Sequence, residues 1–130
     1  MAQAPITVLL VEDNDVFRES LELLLGTIPD IEVAAAVPDG RRALDVCMRL
    51  KPDVVLMDYR LPELDGVETM AAIGEACPTT AVVVLTALAE SEEIDALYEA
   101  GAVACLTKDR ELDEIVGAVR DAAGRGASLR

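Results

Sequence analysis

Val54-Val55-Leu56-Met57-Asp58 is the stretch on which the fold turns: four apolar residues without polar alternation, then an acid. Such a run reads as a strand buried on both faces of a parallel sheet. Working outward, the same design recurs on either side. Val8-Leu9-Leu10-Val11 runs into Glu12-Asp13, Val82-Val83-Val84-Leu85 into Thr86, and Val103-Ala104-Cys105-Leu106 leads through Thr107 to Lys108. A further apolar run, Ile31 to Ala36, lies between the first two. Open parallel sheets bind ligands beyond the carboxyl ends of their strands. One rim would therefore gather three carboxylates, a hydroxyl and an ammonium, groups suited to a divalent cation and a phosphoryl group.

Helical patterns separate the runs. Phe17, Leu21, Leu24 and Ile28 recur at helical spacing, with Pro29 ending that helix. Asp39, in the turn Pro38-Asp39-Gly40, is placed to cap a helix through about Leu50. Asp65 and Glu68 fit a capping box for a third helix to about Ala76. A fourth opens at Ser91 and stops at Gly101, and a fifth, with Asp109 as its expected cap, carries Leu112, Ile115, Val116 and Val119. Five strands alternating with five helices predict a doubly wound α/β domain over 1–123. The aperiodic, Gly- and Arg-rich 124–130 reads as a frayed terminus or the start of a linker.

Composition narrows the function classes. The 130 residues suit one domain. A net charge of −14 disfavours direct contact with nucleic acid or anionic membranes, both of which require clustered Lys and Arg. No run approaches the roughly eighteen apolar residues of a membrane span, and the first residues do not read as a signal peptide. Cys47, Cys77 and Cys105 form no Cys-x-x-Cys, so they read as reduced, buried thiols of a cytoplasmic protein. There is no histidine, no Gly-x-x-x-x-Gly-Lys and no Gly-x-Gly-x-x-Gly. A haloacid-dehalogenase-type phosphatase needs a second acid two residues after its aspartate, and Arg60 stands there.

Taken alone, each candidate has an ordinary reading. Glu12-Asp13 is a loop pair that could cap a helix, Thr86 has simple β-propensity, and Lys108 is a surface lysine. Taken together and in order, Glu12-Asp13, Asp58-x-x-Leu61-Pro62-x-x-Asp65-Gly66, Thr86-Ala87 and Gly101-Ala-Val-Ala-Cys-Leu-Thr-Lys108 resemble the receiver domain of bacterial two-component response regulators.

That resemblance spans nearly the whole chain. It implies a flavodoxin-like (βα)5 fold with strand order 2-1-3-4-5, whose switch point lies between the strands carrying Asp13 and Asp58. It implies Asp58 as phosphoacceptor and Mg²⁺, with Mn²⁺ able to substitute, ligated by Asp13, Asp58 and the backbone carbonyl of Arg60. Glu12 would act through water. Thr86, with Ala87, and Lys108 would bind the phosphoryl group, while Arg60 and Leu88 would modulate its hydrolysis. Such a domain is not an enzyme beyond its own phosphorylation and dephosphorylation. Its phosphodonor would be the phosphohistidine of a sensor kinase.

Cys105 stands where the family usually has Tyr or Phe, whose movement reports phosphorylation on the face of the fourth helix, fifth strand and fifth helix. The resemblance is strongest to the NarL/FixJ group, regulators with a helix-turn-helix DNA-binding domain and possible homodimers. The chain would then be an excised receiver or a stand-alone one. A rival expectation is a receiver-like module that binds partners without phosphorylation.

Overall fold

In the computed structural model, which describes residues 4–58, 66–87 and 91–124, Val54–Asp58 forms β3, buried along its whole length. It lies at the middle of a five-stranded parallel sheet of order β2-β1-β3-β4-β5, with β1 at Ile6–Val11, β2 at Ile31–Val37, β4 at Ala81–Thr86 and β5 at Ala102–Thr107. The crossovers are α1 (Asp15–Leu25), α2 (Gly40–Leu50), α3 (Gly66–Ala76), α4 (Ser91–Glu99) and α5 (Leu112–Ala122). This is the flavodoxin-like arrangement expected.

The two-residue period of a strand explains why the runs lack polar alternation. Leu9, Val11, Val55, Met57, Val82 and Val84 meet α2, α3 and α4 through Ala43, Val46, Met70, Ile73 and Leu97. Their sequence neighbours Val8, Leu10, Val54, Leu56, Val83 and Leu85 meet α1 and α5 through Leu21, Leu25, Ile115, Val116 and Val119. Both faces need apolar residues, each worth about 1.5–3 kcal/mol when fully buried.

The helix ends carry two corrections. The inner stripe of α1 runs through Leu21 and Leu25, and Leu24 is half-exposed. The helix also stops at Leu25, before Pro29, because Thr27 and Ile28 donate to the carbonyls of Leu24 and Leu25 in tighter turns. Ile28 still reaches the core from that turn.

Asp109 does not cap α5. Its carboxylate takes the Thr107 hydroxyl while the chain turns back, and the helix begins only after Glu111. Asp39 does cap α2, accepting from the Arg42 N–H at 2.8 Å. The capping box at Asp65 lies outside the described residues, as do Arg60, Leu88 and 125–130.

The cysteines are free, and Cys47 and Cys77 are buried where α2 meets α3. Burial, with the Cys77 thiol alongside, pushes the Cys47 thiol up to about 12. At the start of α2 the two helices nearly touch. A Cβ on Gly40 would stand 2.3 Å from the Oγ1 of Thr69, and that oxygen is buried without a hydrogen-bond partner. Replacing Thr69 with valine keeps the shape and deletes the orphaned hydroxyl, so Thr69→Val should raise unfolding stability by about 1 kcal/mol in a urea titration. Gly40→Ala should lower it by about 1–3 kcal/mol through overpacking.

Candidate functional site

Strand register decides which exits become neighbours. Val11 lies opposite Met57, so the residues that follow, Glu12 and Asp58, emerge side by side at the carboxyl rim. Thr86 lies opposite Thr107, and the Lys108 N–H donates to the Thr86 carbonyl at 2.8 Å, which holds Lys108 against the end of β4. On the other flank the Glu12 N–H donates to the Val37 carbonyl at 3.0 Å, tying the β1 exit to β2. Side chains from three strand exits thereby converge, Glu12 and Asp13, Asp58, and Lys108, while Thr86 ends the neighbouring strand β4.

Their charges interlock. The Lys108 ammonium lies 2.6 Å from Oε1 of Glu12 and 3.1 Å from Oδ2 of Asp58. It also sits 4.7 Å above the centre of the Phe17 ring, whose π face attracts a cation. Oε2 of Glu12 accepts from the Asn14 N–H at 2.9 Å. Glu12 and Thr86 are each 2% exposed and Asp58 is 7%, whereas Asp13 is open to solvent.

Burial pushes the Glu12 carboxyl above the usual carboxylate range, with the Lys108 ammonium and the Asn14 N–H pulling the other way. Burial also works against the charge on Lys108, but the two carboxylates outweigh it and hold the ammonium above the ordinary lysine value.

One carboxylate oxygen from each of Glu12, Asp13 and Asp58 lies within 4.8 Å of the others. An all-oxygen donor set of this kind suits a hard cation that retains several waters, and the solvent-open side at Asp13 leaves room for them. The arrangement can therefore bring a small cation, a buried carboxylate and a lysine point charge together, with Thr86 at the end of the adjoining strand. Ala87 follows Thr86 on the exposed rim.

Sequence reasoning named Glu12, Asp13, Asp58 and Lys108, which meet here, but missed three partnerships. Glu12 is the closer partner of Lys108, nearer than Asp58. Asn14, and neither acid, caps α1, its Oδ1 accepting from the Phe17 N–H at 2.9 Å. Phe17 lies under the lysine as well as in the α1 stripe. The Asn14 cap was legible, since asparagine three residues before the first member of an apolar helical stripe is a capping signal.

Cys105 was expected to be buried and is half-buried instead. At this position a tyrosine arrives from another element: the hydroxyl of Tyr98, on α4, accepts the Cys105 N–H at 3.2 Å. The Tyr98 ring is itself half-exposed, so it only partly covers the small side chain. Burial raises the Cys105 thiol above the ordinary cysteine value, and the Tyr98 hydroxyl opposes that rise.

A parallel sheet of this order, with acids, threonine and lysine at its carboxyl rim, defines a class of signalling α/β domain. The family model of the response regulator receiver domain matches residues 8–120, and the chain belongs to that family. The transcriptional regulatory protein LiaR of Bacillus subtilis is 35% identical over 121 residues, which are 93% of this chain and 57% of LiaR.

A protein-glutamate methylesterase/protein-glutamine glutaminase of Syntrophus aciditrophicus is 42% identical over 79% of this chain, which is 30% of its own length. Among solved structures, the signal receiver domain of the response regulator NarL from Mycobacterium tuberculosis superposes with a TM-score of 0.90. It is 32% identical and covered to 98%, against 94% of this chain. The chain spans about half the length of the curated transcriptional regulators it matches. Among the described residues, no helix is long and apolar enough to cross a membrane.

Proposed function

We propose that this receiver domain takes a phosphoryl group onto Asp58 from the phosphohistidine of a sensor kinase, in the cytoplasm, with Mg²⁺ or Mn²⁺ as the cation. The observation that carries this reading is the setting of Asp58. Its buried carboxylate has a lysine ammonium at 3.1 Å and two further carboxylates within 4.8 Å, one of which, Glu12, shares that lysine. Asp13 and Asp58 would hold the cation, joined by the Arg60 carbonyl. The cation supplies charge neutralisation between the attacking carboxylate and the incoming phosphoryl oxygens.

The chain's own residues account for the rest. A carboxylate oxygen of Asp58 attacks phosphorus in line, the phosphorus–nitrogen bond breaks, and the imidazole leaves with its electron pair. Lys108 exchanges part of its pairing with Asp58 for a phosphoryl oxygen, while Glu12 keeps the ammonium from swinging into solvent. The Thr86 hydroxyl donates to a second phosphoryl oxygen and draws the β4 exit inward. Because Tyr98 spans α4 and β5, that movement would reach the α4–β5–α5 face and there shift partner binding or dimerisation. The resemblance to LiaR and NarL supports control of transcription through a DNA-binding domain of a longer protein.

Intact mass after incubation with acetyl phosphate tests the reading. A gain of about 80 Da that requires Mg²⁺ and is released by hydroxylamine, as an acyl phosphate should be, is the expected result. If neither acetyl phosphate nor a phosphorylated histidine kinase leaves an adduct, the domain works instead as a phosphorylation-independent interaction module.

A further inference from the structure

Arg18 belongs to none of the roles assigned above, yet its guanidinium is engaged twice beside the site. Nη1 donates to the backbone carbonyl of Glu12 at 2.8 Å, and Nη2 donates to Oδ1 of Asp15 at 2.6 Å. Its side chain is only 16% exposed, while that of Asp15 is 76% exposed. An exposed pair three residues apart on a helix adds little to stability, so the contact with Asp15 serves mainly to aim the guanidinium. The contact with Glu12 acts on the backbone.

The Glu12 carbonyl and the Asp13 N–H belong to one peptide plane, and that plane is rigid. A guanidinium fixed on the oxygen therefore fixes the direction in which Asp13 leaves the strand. The same loop is pinned at three other points: the Glu12 N–H on Val37, the Asn14 N–H on Glu12, and the Asn14 side chain on Phe17. Asp13 is the solvent-exposed acid of the three and lies between these pins. Without Arg18, the carbonyl side of its leading peptide loses a charge-assisted tether.

We infer that Arg18 is a positioning residue for the cation site, clamping the Glu12–Asp13 peptide so that the Asp13 carboxylate is held ready beside Asp58. This rests on the reading of Asp13 and Asp58 as cation ligands. Arg18 touches neither the cation nor the phosphoryl group.

Charge and position predict opposite signs here, which makes the inference testable. Arg18 is a cation near a site for a cation, so losing its charge alone would tighten Mg²⁺ binding. Losing the clamp would weaken it. Mg²⁺ titration by calorimetry on wild type, Arg18→Ala and Arg18→Lys, each checked for folding by its urea transition, separates the two. Arg18→Ala should bind Mg²⁺ about tenfold more weakly, as loss of a supporting outer contact typically does.

Arg18→Lys keeps the charge but lacks the fork that spans both oxygens, so its affinity should fall between the two. In metal-free protein, amide hydrogen exchange of Glu12 and Asn14, whose N–H groups are bonded in this loop, should rise in both variants, while exchange in β3 and β4 stays as in wild type. Tighter or unchanged Mg²⁺ binding by Arg18→Ala overturns the inference, as does wild-type affinity in Arg18→Lys with unchanged loop exchange. Should the wild type itself bind no Mg²⁺, the cation-site reading fails first and takes this inference with it; unaltered loop exchange condemns the clamp alone.

Discussion

An Asp58→Asn variant is expected to gain no phosphoryl mass under conditions that modify the wild type, and to unfold at a higher urea concentration. The first effect is chemical: an amide oxygen is a poor nucleophile, and Asp58 is the one carboxylate within β3. The second is electrostatic. Asp58 has two carboxylate neighbours, Glu12 and Asp13, within 4.8 Å and one ammonium at 3.1 Å. Two unit charges about 4 Å apart interact by about 4 kcal/mol at an effective dielectric constant of 20. The two like charges crowd the metal-free site, and an amide at position 58 relieves both repulsions.

Lys108 also keeps its shorter contact with Glu12 when Asp58 is neutralised. After relaxation and solvent screening, a gain of about 1 kcal/mol is expected. Mg²⁺ should raise the melting temperature of the wild type by mass action, and much less that of the variant. A urea midpoint below that of the wild type would show that the Lys108–Asp58 contact outweighs the crowding.

Lys108→Ala should act in the opposite sense and more strongly. Glu12 is 2% exposed, and Lys108 supplies its only ion pair among the described residues. Removing one partner of a buried pair leaves an uncompensated charge, at a cost of about 3 kcal/mol or more.

The pH dependence follows from the direction of the Glu12 shift. Burial already raises its folded-state pKa, and loss of the ammonium raises it further. A carboxyl whose pKa is higher folded than unfolded favours the folded state below its unfolded value, and that contribution is lost as pH rises through the folded value. The deficit of Lys108→Ala relative to wild type should therefore be small near the ordinary carboxylate pKa and full at pH 8. Urea midpoints measured at both ends check this, and Glu12→Gln in the same chain should remove most of the pH 8 deficit.

Metal affinity should not fall, since a cation has been taken from beside a cation site, whereas phosphoryl uptake should slow sharply. A pH-independent deficit would mean that Glu12 is not the group left stranded.

How far the sequence reached is clear from particular residues. Val54–Met57, Val82–Leu85 and their counterparts had no polar alternation because each strand faces helices on both sides, so composition and order were enough to read parallel strands and a doubly wound sheet. Asp13, Asp58, Thr86 and Lys108 were legible for a related reason: polar groups at the end of apolar runs must emerge at one rim when the strands are parallel. Asp39 and Gly101 were legible because capping and a backbone φ of +120° are local requirements.

Periodicity failed where distances in space, and not along the chain, made the choice. Whether Leu24 or Leu25 faced the sheet depended on the angle at which α1 crosses it, and whether Asp109 capped α5 depended on the length of turn needed after β5. The grip of Lys108 on Glu12, the Tyr98 hydroxyl on Cys105 and the Arg18 clamp depended on register and on side-chain reach between elements.

The chain by itself determined the alternation of elements, the parallel sheet and the set of groups at its rim, because these follow from hydrophobic patterning and local backbone preference. Only the tertiary structure decided which carboxylate holds the lysine and which side chain braces the loop. Those choices turn on differences of an ångström or less, and at that scale a charged contact is gained or lost.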